Sequence, residues 1–122
     1  MATLLIAEDH PDALAMLTIV FLSDGYRVVT ACDGVEAVAA FEQHAPDIVL
    51  MDLCMPALDG LAAAKRIRAF HSRGHIPIIA FTADPAMLKG QTHLFNRICV
   101  KPCEPVELMN IVREVLADDH HV

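Results

Sequence analysis

The chain has 122 residues, 55% of them hydrophobic and 20% charged, with a formal net charge of -7. That is the size of one compact domain with enough apolar material for a core, so a disordered segment is excluded and any output function falls to another molecule or to a further part of a longer protein. Lys and Arg form no basic stretch and no apolar run approaches the roughly 20 residues that cross a bilayer, so neither direct nucleic-acid binding nor membrane insertion is expected.

Taken in chain order, short apolar runs alternate with helical patterns, the signature of βαβ units around a parallel sheet. Leu4-Leu5-Ile6-Ala7 reads as a first strand ending at Glu8-Asp9. A helix opens near Pro11-Asp12, carries Ala13, Leu14, Leu17, Val20 and Phe21 on its core stripe, and closes at Gly25. Arg27 to Ala31 is a second strand, followed by the Asp33-Gly34 turn and a helix with Val35, Val38, Ala39 and Phe41 that Pro46 stops. Asp47 to Met51, apolar on both faces as a central parallel strand must be, ends on Asp52. After Met55-Pro56 and Asp59-Gly60, a helix with Leu61, Ala64, Ile67 and Arg68 runs to about His71. Ile76 to Phe81 is a fourth strand, entered through Pro77 and ending on Thr82. A short helix from Pro85 to about Leu94, a fifth strand over Arg97 to Val100 and a terminal helix with Val106, Leu108, Ile111, Val112, Val115 and Leu116 complete five strands and five helices. A polar tail follows from about residue 118, through His120-His121.

The strand ends carry the chemistry. Open α/β folds place their sites at the carboxyl edge of the sheet, which gathers Glu8, Asp9 and Asp52 with Thr82 and Lys101. Mg²⁺ prefers near-octahedral oxygen ligands and keeps several waters, so three carboxylates and a phosphate oxygen suit it. Crowding those carboxylates costs free energy that a divalent cation relieves. Asp52, at the middle strand's tip, is the candidate nucleophile that accepts a phosphoryl group, with Lys101 and Thr82 binding its remaining oxygens.

Other features are read as structural. Cys32, Cys54, Cys99 and Cys103 form no Cys-x-x-Cys pair and no signal peptide precedes the first run, so free thiols in a cytoplasmic protein are expected. His71 and His75 have a spacing that binds zinc on a helix, but Ser72-Arg73-Gly74 reads as a helix end. On the first helix, Ile19 and Leu22 fall opposite the core stripe, a face expected to dock a kinase or phosphotransfer helix, or a second copy.

Along essentially its whole length the chain resembles the receiver (response-regulator) domains of two-component signalling. The resemblance rests on Glu8-Asp9, His10-Pro11-Asp12, Asp33-Gly34-x-Glu36-Ala37, Asp47 to Asp52, Met55-Pro56 with Asp59-Gly60, Pro77-Ile78-Ile79, Thr82-Ala83 and Lys101-Pro102, in that order and spacing. It implies one receiver domain over residues 1–122, a doubly wound (βα)5 flavodoxin-like three-layer α/β sandwich with a five-stranded parallel sheet in order 2-1-3-4-5. It further implies Asp52 as phosphoacceptor, Mg²⁺ held by Glu8, Asp9, Asp52 and the backbone carbonyl of Cys54, Thr82 and Lys101 on the phosphoryl group, and a cis Lys101-Pro102 bond. The partners implied are a histidine kinase or histidine phosphotransfer protein and, downstream, a protein target or a homodimer. Such a module is not an enzyme beyond slow autophosphatase activity.

Two departures stand out. Receivers carry Tyr or Phe three residues before the lysine, and here that position is Ile98; the stretch from Thr82 to Lys101 is also about three residues shorter than the family's. The phosphorylation site is therefore expected to be complete, and the usual aromatic readout and fourth helix altered. The positions by which family members set phosphate lifetime hold Cys54 and Asp84. Two alternatives accompany this reading: an interaction module on the same fold with weak switching, and a Mg²⁺-dependent phosphohydrolase using an aspartyl phosphate. The second needs an Asp two residues after the nucleophile, where Cys54 stands.

Overall fold

A computed structural model describes residues 1–70 and 75–119. His71 of the spaced histidine pair and the His120-His121 tail lie outside those residues. Five strands, β1 (Thr3–Ala7), β2 (Arg27–Ala31), β3 (Ile48–Asp52), β4 (Ile78–Thr82) and β5 (Arg97–Val100), form one parallel sheet in the order β2-β1-β3-β4-β5. Among the described residues four α-helices, α1 (Pro11–Ser23), α2 (Gly34–His44), α3 (Gly60–Arg68) and α4 (Pro105–Asp119), cover its two faces. The implied sheet order is thus present.

Strand alternation divides the core. Leu5, Ala7, Val49, Met51, Ile78 and Ala80 point to the α2/α3 side, and Leu4, Ile6, Ile48, Leu50, Ile79 and Phe81 to the α1/α4 side. The central strands β3 and β4 are buried throughout, which is why their sequences read as unbroken apolar runs.

Local signals set the helix starts. The His10 side chain caps α1 by accepting from the Ala13 N–H, and Asp33 and Asp59 do the same for Glu36 and Ala62 at the starts of α2 and α3. Glu36 reaches back to accept from the Cys32 N–H, so the α2 turn satisfies two donors reciprocally. Two of these helices begin on a glycine for want of space. A Cβ on Gly34 would lie 1.8 Å from the Leu58 carbonyl oxygen, and one on Gly60 would lie 2.2 Å from that of Asp52.

The sequence reading needs three corrections. Between β4 and β5 there is no α-helix from Pro85 to Leu94 but two 3-10 turns, Pro85–Leu88 and Thr92–Leu94. Lys89 and Gly90 both adopt positive φ, 49° and 73°, and end the first turn before α-helical bonding can propagate. The α2 core face is Ala37, Ala40 and Phe41, with Val35 and Ala39 turned outward, because the seat of Gly34 against Leu58 sets the phase of the helix. On α4, Leu108, Val112 and Val115 are buried while Val106 is exposed.

The shortened crossover is fastened from the next element. Arg68, at the end of α3, donates from Nε and Nη2 to the Leu94 carbonyl at 3.0 and 2.8 Å, from Nη1 to the Ile76 carbonyl, and from Nη2 to Asn96 Oδ1 at 3.0 Å. Asn96 Oδ1 also accepts from the Ile78 N–H. These bonds hold the crossover down, while Leu88, Leu94 and Phe95 fill the core beneath.

On α1, Ile19 and Leu22 stand 65% and 53% exposed, as their angular position implies, and Met16 joins them.

Candidate functional site

The rows of side chains that build the core continue past the strand ends. Glu8 extends the Leu4/Ile6 row, Asp52 the Ile48/Leu50 row and Lys101 the Cys99 row, so all three lean toward the α1/α4 side at one edge of the sheet. Lys101 Nζ lies 3.0 Å from Glu8 Oε1 and 3.4 Å from Asp52 Oδ2. Glu8 and Asp52 are buried, at 1% and 3% exposure, and Asp9 is exposed beside them. One oxygen from each of Glu8, Asp9 and Asp52 lies within 4.8 Å of the other two, spacing that suits a shared hard cation.

Backbone donors hold the carboxylates in place. The His10 N–H donates to Glu8 Oε2 and the Cys54 N–H to Asp52 Oδ1, each at 3.1 Å. Gly60 presses on the Asp52 carbonyl from below, and its own N–H donates to the Leu53 carbonyl at 3.1 Å. The loop from Leu53 to Asp59 is therefore drawn tightly against Asp52. The Lys101-Pro102 bond is cis.

The electrostatics follow from this crowding. Burial, and then the Glu8 carboxylate beside it, push Asp52 up to about 7, against the lowering effect of the Cys54 N–H and Lys101. Glu8 is itself pushed up by burial, but hydrogen bonds with Asp52, the His10 N–H and Lys101 outweigh this and hold it below its ordinary value. Burial disfavours the Lys101 ammonium, yet Glu8 and Asp52 more than offset it and raise the lysine. Two carboxylates contest one cation, so the site has the chemistry of a place for further positive charge.

Thr82 is positioned differently. It continues the Ile78/Ala80 row, is fully buried, and its hydroxyl is engaged with its own loop, accepting from the Asp84 N–H at 3.1 Å and donating to the Asp84 carbonyl at 3.2 Å. The sequence places it in the cluster, and the structure brings Glu8, Asp9, Asp52 and Lys101 together with Thr82 at their margin. Cys54 enters through its N–H, and its side chain is exposed. Ile98 packs half-buried against the α2/α3 side of the core.

One neighbour went unremarked in the sequence. The Phe81 ring lies under Lys101, with Nζ 4.9 Å from the ring centroid. Counting alternate residues along β4 would have placed Phe81, rather than Thr82, in the row that faces Lys101.

The model of the response regulator receiver domain family matches residues 4–113. Protein PilH of Pseudomonas aeruginosa is 31% identical over 120 residues, which cover 96% of this chain and 99% of PilH. The probable transcriptional regulator ycf27 of Guillardia theta is 37% identical over 115 residues, 92% of this chain but 44% of its own length. Among solved structures, the receiver domain of the sensor histidine kinase PA1611 of Pseudomonas aeruginosa, with a magnesium ion in its active site cleft, is similar at a TM-score of 0.84 and 33% identity, covering 95% of this chain and 98% of that one.

Proposed function

The chain belongs to the response regulator receiver domain family, and on that premise we propose that Asp52 accepts one phosphoryl group from the phosphohistidine of a histidine kinase or histidine phosphotransfer protein. In the transfer the P–N bond to the donor imidazole breaks, a P–O bond to an Asp52 carboxylate oxygen forms, and the imidazole leaves with the electron pair. Asp52 must be ionised to attack.

The residues that would hold Mg²⁺ are Glu8, Asp9, Asp52 and the backbone carbonyl of Cys54, and their fit rests on the three converging carboxylates and the raised proton affinity of Asp52. When bound, Mg²⁺ supplies positive charge that offsets the carboxylates and the incoming phosphoryl oxygens. Lys101 then exchanges its carboxylate partners for a phosphoryl oxygen. Thr82 reaches the same group only by giving up its two bonds to Asp84, and that local rearrangement is the change passed to the surface.

The observation that carries this reading is the placement of Lys101 at 3.0 Å from Glu8 and 3.4 Å from Asp52, which joins the acceptor, a metal ligand and the phosphate-binding cation in one contact. Incubation with Mg²⁺ and a small phosphodonor, read by intact mass, tests it. Wild type is expected to gain one phosphoryl group and Asp52→Asn none.

The apolar α1 face of Met16, Ile19 and Leu22 takes the donor's helix. Met16 also lines a cavity of about 490 Å³ whose wall includes Glu8 and Lys101, the two groups that contact or neighbour Asp52, so a helix seated on this face would approach that side of the site. Downstream, the phosphorylated surface binds a protein target or a second copy, in the cytoplasm; among the described residues no helix is long and apolar enough to cross a membrane. Autophosphatase turnover is slow, since Cys54 offers no base to activate water.

One observation favours a second reading, an interaction module with muted switching. Ile98 already packs against the core and the β4–β5 crossover is fastened by Arg68, so the surface there has little freedom to respond. Phosphorylation without any change in hydrogen exchange across residues 83–98 would support it.

A further inference from the structure

We infer that Phe81 is a positioning residue for Lys101, its ring serving as the floor that keeps the ammonium over the acceptor during transfer. The inference rests on the phosphoacceptor reading and concerns the same site.

Lys101 issues from the edge strand β5, yet its ammonium must act at β3 and β1, so its side chain has to cross β4. The β4 residue on the crossed face is Phe81, which pairs in register with Asp52 on one side and Cys99 on the other. The Lys101 N–H donates to the Thr82 carbonyl at 2.8 Å, which fixes the start of the side chain one residue beyond the ring. Phe81 is 2% exposed and cannot swing away without breaking the core row it shares with Ile79. Nζ stands 4.9 Å from the ring centroid, within the distance at which the negative face of an aromatic ring attracts a cation.

The ring has a role the carboxylates cannot fill. Glu8 and Asp52 anchor Lys101, but they are also the groups whose charge and partners change when a cation binds and when Asp52 is phosphorylated. The ring does not change. It therefore holds the ammonium within reach of the incoming phosphoryl oxygens while its other partners are being exchanged. An aliphatic residue would fill the space and leave that cation over a surface with no attraction for it.

The test uses Phe81→Leu, which removes the ring, and Phe81→Tyr, which keeps it; Phe81 and Lys101 line the same cavity. The chain has three lysines, Lys65, Lys89 and Lys101, so the lysine ε-methylene protons can be assigned by NMR. The Lys101 protons are expected upfield of the other two, to return to the common position in Phe81→Leu and to stay upfield in Phe81→Tyr. With Mg²⁺ and a small phosphodonor, Phe81→Leu should be phosphorylated about two- to fivefold more slowly than wild type, and Phe81→Tyr at close to the wild-type rate. Wild-type Lys101 protons that coincide with those of Lys65 and Lys89 would overturn the contact whether or not either variant folds. A lost shift in Phe81→Leu with an unchanged rate would overturn the positioning role. Failure of wild type to take phosphate would strike the phosphoacceptor reading and with it the positioning role, leaving the NMR shift to report the contact alone.

Discussion

Lys101 Nζ and Glu8 Oε1 stand 3.0 Å apart, and this ion pair ties β5 to β1 over the two strands between them. Glu8 is almost fully buried, and Lys101 is the cation among the groups that hold it ionised. Lys101→Met should therefore destabilise the metal-free protein by about 1–3 kcal/mol, less than the loss of a fully buried partner because the lysine is partly solvated. Urea unfolding with and without Mg²⁺ checks this, and added Mg²⁺ should recover part of the loss.

The pH dependence follows from Asp52. An acid whose pKa rises on folding, here from 3.8 to about 7, stabilises the fold in its protonated form. Its contribution is full below pH 3.8 and is lost as pH rises through about 7. Glu8, lowered from 4.5, acts in the opposite sense: its contribution is full above 4.5 and is lost as pH falls below that value. Because cation binding needs the ionised Asp52, the rise in melting temperature produced by Mg²⁺ should be larger at pH 8 than at pH 6. Asp9→Ala should abolish that rise at both.

Gly60 lies closely against the main chain of Asp52. A methyl group there would meet the Asp52 carbonyl oxygen at 2.2 Å and the Leu53 Cα at 2.7 Å, both backbone atoms that cannot rotate aside. Gly60→Ala is expected to cost about 1–3 kcal/mol of stability and to slow phosphorylation of the folded fraction, because the backbone that must yield carries Asp52. Denaturant midpoints and single-turnover rates measure the two effects separately.

These residues also mark where the sequence was legible. The five strands and their polar ends could be read because β1, β3 and β4 carry unbroken apolar runs, each closed by a polar residue, Glu8, Asp52 and Thr82. Pro11, suited to a helix's first turn, and the Asp33-Gly34 and Asp59-Gly60 pairs marked helix starts through local signals that act over a few residues. The 3-10 turns after Thr82 were harder to read. Met87 and Leu94, seven residues apart, suit a helical period, and only the left-handed backbone at Lys89 and Gly90 and the distant hold of Arg68 break it. The engagement of Thr82 with Asp84 and the ring under Lys101 arise from side-chain direction within the row, which a search for polar strand ends passes over.

Arg68 gives the crossover its shape. Arg68→Leu leaves the Leu94 and Ile76 carbonyls without these donors and should cost about 1–3 kcal/mol. Backbone amides from Ala86 to Asn96 should exchange hydrogen faster, while phosphorylation by a small donor stays near wild type. Hydrogen exchange read by mass spectrometry resolves this segment from the sheet.

Substitutions on the α1 face would separate partner binding from chemistry. Ile19→Glu with Leu22→Glu should leave phosphorylation by a small donor unchanged, since neither residue touches the acceptor. Transfer from a phosphorylated kinase or phosphotransfer protein should fall at least tenfold. Equal rates from the protein donor would remove this face as its docking surface.

The central claim is tested most directly by locating the phosphoryl group. After incubation with Mg²⁺ and a small phosphodonor, borohydride reduction converts an aspartyl phosphate to homoserine, and peptide sequencing finds where. Homoserine at position 52 in wild type, dependent on Mg²⁺ and missing from Asp52→Asn, is the expected result. No homoserine at all, or homoserine at another aspartate in wild type, would contradict the account.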